Sequence, residues 1–140
     1  MNIIKAFNKA FKAKEENNWE KIYVLVDVHD TIMVGTKPEK EKPEWYYDAL
    51  EVLKMMSDRD DICLIMWTGA YPDKISKYRK LLEEMYIRFD YVNENPEVEN
   101  SNFYCMESKI YYNVGIDDRF GFEPETDWNL IKNFLKIKKI

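Results

Sequence analysis

Apolar residues fall into short continuous runs separated by stretches with helical spacing. Ile22-Tyr23-Val24-Leu25-Val26 is nearly uninterrupted and rich in β-branched residues, the pattern of a strand buried on both faces, as in parallel sheets. Ile62 to Trp67 repeats it, and weaker strands are expected at Ile87 to Val92 and Tyr111 to Ile116. Between these runs the period becomes helical. Ile3, Ile4, Phe7 and Phe11 share a face within Met1 to Lys21, and Tyr46, Leu50, Leu53 and Met56 or Val52 share one between Glu44 and Ser57. Pro72 and Asp73 open a helix ending near Met85, because proline suits a first turn and an acid suits the positive end of the dipole. A last helix is expected from Thr126 to Lys136, with Trp128, Ile131, Phe134 and Leu135 inward. Val34 to Pro43, with Gly35, Pro38 and alternating Lys and Glu, and Asn93 to Asn102, with Pro96, read as loops. Strands alternating with helices predict an α/β fold, a three-layer sandwich on a mainly parallel sheet. Residues 1–140 are expected to form one domain, with a helix over 1–20 packed on it.

Composition narrows the class. Of 140 residues 46% are hydrophobic and 15% aromatic, with only 4 Gly, 5 Pro and 2 Cys, which excludes collagen-like, disordered and disulfide-scaffold chains. The 21 basic and 26 acidic side chains leave a net charge of −5, against a general nucleic-acid coat protein, although a local basic patch stays open. Cys63 and Cys105 are expected to be free thiols in a reducing compartment, which suggests a cytoplasmic protein. Lys, Asn and Glu interrupt the N-terminal helix too often for a signal-peptide core. Its polar face mixes charge signs, which favours docking on the domain over lying on a membrane.

In open α/β sheets ligands bind beyond the carboxyl ends of the strands, so the residues after each apolar run carry the functional information. The first run ends in Asp27-Val28-His29-Asp30-Thr31, the second in Thr68-Gly69 and the fourth in Asp117-Asp118-Arg119, with Lys109 ahead of the fourth. Taken singly, an acid or Thr in such a place commonly caps a helix or solvates a turn. Taken together, Asp27, Asp117 and Asp118 at neighbouring strand ends repel one another unless a cation lies among them. Carboxylate oxygens suit magnesium, which keeps several waters and helps to bind substrate phosphates. Thr68 and Lys109 are then placed for phosphate oxygens, and the set describes phosphoryl transfer to an Asp nucleophile.

Asp27 with Thr31 after one strand, Thr68 after the next, then Lys109, then Asp117-Asp118 resembles, in this order, the four motifs of the haloacid dehalogenase (HAD) superfamily. The resemblance runs from Ile22 to about Arg119, and Val114 to Arg119 resembles the last motif of small cap-less members. It implies a Rossmann-like sheet and a Mg2+-dependent phosphate-monoester hydrolase. By that resemblance Asp27 attacks phosphorus and becomes an aspartyl-phosphate, its other oxygen binding the metal. The carbonyl of His29 and the carboxylate of Asp117 are further metal ligands, and Asp118 binds directly or through water. Thr31, Thr68, Gly69, Lys109 and Arg119 surround the substrate, with Thr68 bonded to a phosphoryl oxygen and Lys109 offsetting negative charge.

One position departs from the pattern. Phosphatases of the family usually carry a second Asp two residues after the nucleophile, and here that residue is His29, the single histidine of the chain. In extended backbone residues 27 and 29 point the same way, so the imidazole faces the site. Three readings stay open: His29 replaces Asp as general acid and base, or it slows hydrolysis of the intermediate and gives a slow phosphatase or a phosphotransferase, or the site binds phosphate without turnover. Coordination of a transition metal by the ring is a weaker fourth. Asp30 is also unusual for the family; partial replacement of the missing acid by Asp30 stays open, with its alternating direction arguing against it.

The connections from Thr31 to Ile62 and from Gly69 to Lys109 are filled by the expected elements, leaving no room for a cap domain. An open site favours a large substrate such as a nucleic-acid end or phosphoprotein, or a small one such as a nucleotide closed in by a partner subunit. Trp67, Tyr71, Phe120 and Phe122 are candidates to stack on a base or ring, against core or rim packing. The oligomeric state is open and no membrane partner is expected. A response-regulator receiver carries similar residues, but its acid pair comes first and here it comes last. The non-enzyme alternative is a catalytically impaired HAD-like phosphate-binding or regulatory module.

Overall fold

β1 (Ile22–Asp27) and β2 (Ile62–Trp67) form the centre of the sheet, as expected of strands apolar on both faces. The computed structural model describes residues 2–35, 43–98 and 110–138. β3 (Tyr91–Val92) and β4 (Val114–Ile116) complete a four-stranded sheet of order β3-β2-β1-β4 in which every pairing is parallel. Val24 lies opposite Leu64 on one side and Val114 on the other. The chain therefore steps outward from β1 through β2 to β3 and then returns to the far side of β1. That return makes the carboxyl ends of β1 and β4 a topological switch point, where open α/β sheets bind ligands.

Period-two alternation divides the strand side chains between two cores. Val24, Val26, Leu64, Met66, Val114 and Ile116 enter the larger one, and Leu25, Cys63 and Ile65 form the smaller with Tyr23, Trp67, Tyr91 and Ile110 against it. The four α-helices among the described residues are α1 (Ile3–Asn17), α2 (Ala49–Ser57), α3 (Pro72–Glu83) and α4 (Pro124–Ile137). Each places an apolar face in the larger core, through Phe7 and Phe11, Val52 and Leu53, Tyr78 and Leu82, and Trp128 and Ile131. The result is the α/β fold on a parallel sheet that was expected, with all four described helices contributing to the larger core. α1 is part of that core: Phe7 and Phe11 lie 5.9 and 6.1 Å from the ring of Phe134. Among the described residues no helix is long and apolar enough to cross a membrane. The Cys63 thiol is free, and burial pushes its pKa up to about 12; Cys105 lies outside the described residues.

Three elements are shorter than their patterns suggest, each because a tertiary hydrogen bond replaces a regular one. The helix expected from Glu44 begins only at Ala49. Ahead of it Trp45 bridges Met33, the Tyr46 N–H donates to the Ile32 carbonyl, and Asp48 takes a left-handed φ of 67°. β3 omits Ile87 to Asp90, where the Asp90 carboxylate takes the Leu64 N–H at 2.9 Å in place of a backbone carbonyl. β4 omits Tyr111 to Asn113, where the Asn113 side chain accepts the Tyr23 N–H at 2.7 Å. Residues 36–42, within the loop expected after Val34, lie outside the described residues, as do 99–102 of the Asn93 to Asn102 loop.

Candidate metal and phosphate site

The pairing of Val26 with Ile116 sets the next residue of each strand, Asp27 and Asp117, side by side at the switch point. With Asp118 they offer carboxylate oxygens that all lie within 4.8 Å of one another. Asp27 is half-buried, Asp117 buried and Asp118 exposed. These acids border a cavity of about 550 Å³ that is also lined by His29, Asp30, Thr68, Gly69, Asn93 and Arg119.

The turn after β1 fixes the first group. The Val28 carbonyl accepts the N–H groups of Thr31, Ile32 and Met33 at 3.4, 2.9 and 3.1 Å, folding the chain back sharply. Asp30 adopts φ 59° there and its carboxylate accepts the Gly35 N–H at 2.9 Å, so it braces the loop while also lining the cavity. Thr31, which the resemblance sets beside the substrate, is not among the residues lining the cavity. It is 0% exposed, and its hydroxyl lies 3.0 Å from Asp27 Oδ2 and 3.2 Å from Asp118 Oδ1 while accepting the Asp118 N–H at 3.2 Å. Its carbonyl is held by the Trp128 indole N–H at 2.8 Å. Thr31 thus links the two carboxylates from a buried position, its one proton committed to them.

Burial first, and the Asp117 carboxylate second, push the Asp27 pKa from 3.8 up to about 7, against the hydrogen bonds from Thr31 and the Val28 N–H. Asp117 is raised too, by burial first, while the Arg119 N–H at 2.9 Å opposes the shift. A cluster of this kind near neutral pH is stabilised by a proton or by a cation. Among the described residues no backbone hydrogen bond to the His29 carbonyl oxygen is found.

Across the cavity, at the end of β2, Thr68 is nearly buried and is clamped by Asn93. The Thr68 N–H donates to Asn93 Oδ1 at 2.9 Å and Asn93 Nδ2 donates to the Thr68 carbonyl at 2.7 Å. The Thr68 hydroxyl accepts the Ala70 N–H at 3.2 Å, which orients it. A Cβ at Gly69 would meet nothing within 4 Å, so no packing demand explains that glycine. Arg119 is exposed at the rim. His29 is among the residues lining the cavity, and its Nε2 is 2.8 Å from the Tyr78 hydroxyl. Lys109 lies outside the described residues.

Sequence patterns pass over two residues of the site. Asn93 follows β3 as Asp27, Thr68 and Asp117 follow their strands, and the same strand-end rule points to it. Tyr78 sits on the buried face of α3 and gives no local signal. Among the stacking candidates Trp67 lines the cavity, while Tyr71 and Phe120 are exposed but do not line it. Phe122 is a core residue, buried and edge-to-face with Trp128 at 5.0 Å.

No protein-family model matches the chain, and no curated protein matches it. Among solved structures it is similar to a conserved protein coded by a locus of Bacteroides thetaiotaomicron, at 24% identity and a TM-score of 0.64. The match covers 86% of this chain and 93% of that one, a likeness of fold.

Proposed function

We propose that the protein is a Mg2+-dependent phosphate-monoester hydrolase of haloacid dehalogenase type that works through Asp27. The observation that carries this reading is the meeting of Asp27, Asp117 and Asp118 at the switch point of a parallel sheet, with Thr68 across the cavity. The donor set fits magnesium: every group is a hard oxygen, and two of the acids have raised pKa values in the absence of a cation. Asp27, Asp117, Asp118 and the His29 carbonyl would hold the ion, which supplies positive charge for phosphoryl oxygens.

The residues of the chain then divide the work. An Asp27 carboxylate oxygen attacks phosphorus, and the ester oxygen departs with its electron pair and a proton from His29. Water, giving a proton to His29, attacks the aspartyl-phosphate; inorganic phosphate leaves and the Asp27 carboxylate is restored. Thr68, oriented by Asn93 and Ala70, donates to a phosphoryl oxygen. Lys109 takes the charge-balancing role by its place in the motif order. No additional domain stands over the cavity among the described residues, which supports substrates as large as nucleotides or nucleic-acid ends.

The test is turnover of p-nitrophenyl phosphate and a nucleotide panel with Mg2+ for wild type, Asp27→Asn and His29→Asp. Wild-type turnover that is lost in Asp27→Asn supports the reading. The second reading, a phosphate-binding module without turnover, is favoured by the engagement of His29 with Tyr78. An inert wild type whose His29→Asp variant gains activity would establish it.

A further inference from the structure

We infer that Tyr78 is a positioning residue for His29, holding the imidazole by its Nε2 edge so that Nδ1 becomes the working nitrogen; this rests on the hydrolase reading above. The phenol oxygen lies 2.8 Å from Nε2, and the two rings meet edge to face at 5.4 Å and 80°. Tyr78 is 3% exposed and rises from α3, whose Leu82 is in the main core and whose Ile75 packs against it, so the hydroxyl is fixed by packing. His29 is fixed from its own side, since Val28 is buried and the flanking backbone closes onto Met33, with Asp30 N–H to the Met33 carbonyl at 2.7 Å. Two rigid anchors thus set the ring; among the described residues no hydrogen bond to Nδ1 is found, and His29 is one of the residues lining the cavity.

The chemistry follows from the two nitrogens being distinct. The phenol oxygen accepts Nε2–H, and that proton stays in place through the cycle. Nδ1 passes its proton to the leaving ester oxygen, and in the second half takes one from the attacking water. Each turnover moves one proton out through Nδ1 and one back, so the ring need not rotate between its two tasks. A phenol suits the post because it accepts from the ring without adding a negative charge beside Asp27, Asp117 and Asp118.

Tyr78→Phe removes the hydroxyl and keeps the packed ring. Positioned proton transfer is worth about 10²–10⁴-fold, so loss of aim is expected to lower kcat about 10- to 100-fold with KM within about twofold. In a His29→Ala background the same change should have no further effect. Because His29 is the only histidine in the sequence, its ring resonances are unambiguous. The Nε2 proton should exchange slowly with water in wild type and rapidly in Tyr78→Phe. Unchanged or faster turnover in Tyr78→Phe overturns the inference, as does an equal loss in the His29→Ala background or an unchanged Nε2 exchange rate. If Asp27→Asn abolishes turnover while Tyr78→Phe does not, this inference falls and the hydrolase reading survives. If wild type hydrolyses nothing, the hydrolase reading falls, and with it the catalytic role of Tyr78.

Discussion

The Thr31 hydroxyl lies 3.0 Å from Oδ2 of Asp27, four residues back along the chain, and so ties the strand end to the turn that follows it. The same oxygen accepts the Asp118 N–H, so one buried atom sets the spacing of two acids from different ends of the sequence. Thr31→Val keeps the shape and strands these partners. It is expected to cost about 1–3 kcal/mol of stability, read by urea denaturation. On the proposed reading of the acids as a Mg2+ site, Mg2+ affinity measured by calorimetry should fall about 10- to 100-fold, as when an outer hydrogen-bond partner of a metal ligand is removed. Thr31→Ser should retain both.

The raised pKa of Asp27 makes the metal-free protein sensitive to pH. Folding favours the protonated carboxyl, so this contribution is fully present below about 3.8 and is lost as pH rises through about 7. Asp117 shifts in the same direction. Glu97 runs the other way, its pKa lowered first by the hydrogen bond from Tyr91, opposed by burial and helped by Lys21, and it does so in wild type and variant alike. The difference in Tm between Asp27→Asn and wild type should therefore widen from pH 4 to pH 8 in EDTA and shrink in saturating Mg2+. A constant difference would disprove the assignment.

Asn93 joins conformation and hydrogen bonding, with φ 54° and two bonds to the Thr68 backbone. Asn93→Gly keeps the left-handed backbone and loses both bonds. A loss of about 1–3 kcal/mol is expected in chemical denaturation. Asn93→Ala should cost about 1–2 kcal/mol more, because its Cβ resists that φ. On the hydrolase reading proposed above, both should raise KM for phosphate monoesters several-fold, since Thr68 loses its clamp.

α1 is integral to the domain. Phe7 is 0% exposed and packs against the rings of Phe11 and Phe134. Phe7→Ala is expected to destabilise by about 3–5 kcal/mol in guanidinium denaturation, the range for emptying a packed aromatic site. A change under about 1 kcal/mol would mean that the helix is a detachable arm.

The strands and helices were legible because side-chain period is a local property. Continuous apolar runs mark β1 and β2, and the i, i+3, i+4 spacing marks α1 and α4. Their ends were less legible where distant groups compete for the backbone. Asp90 and Asn113 take ladder positions with their side chains, and Trp45 and Tyr46 pair with the turn after β1, leaving α2 to begin late. For Thr31, the resemblance implies a hydroxyl beside the substrate; in the fold that hydroxyl bonds Asp27, and Trp128 from the other end of the chain holds the Thr31 carbonyl.

Local pattern by itself determined that acids, Thr68 and Gly69 stand at strand ends, since a strand and its terminus are written in consecutive residues. Which ends meet is a long-range matter. Only the strand order, with β4 returning to the free side of β1, sets Asp117 beside Asp27. Only the packing of α3 on the core carries Tyr78 to His29, because no periodicity along the chain records a contact between residues 49 positions apart.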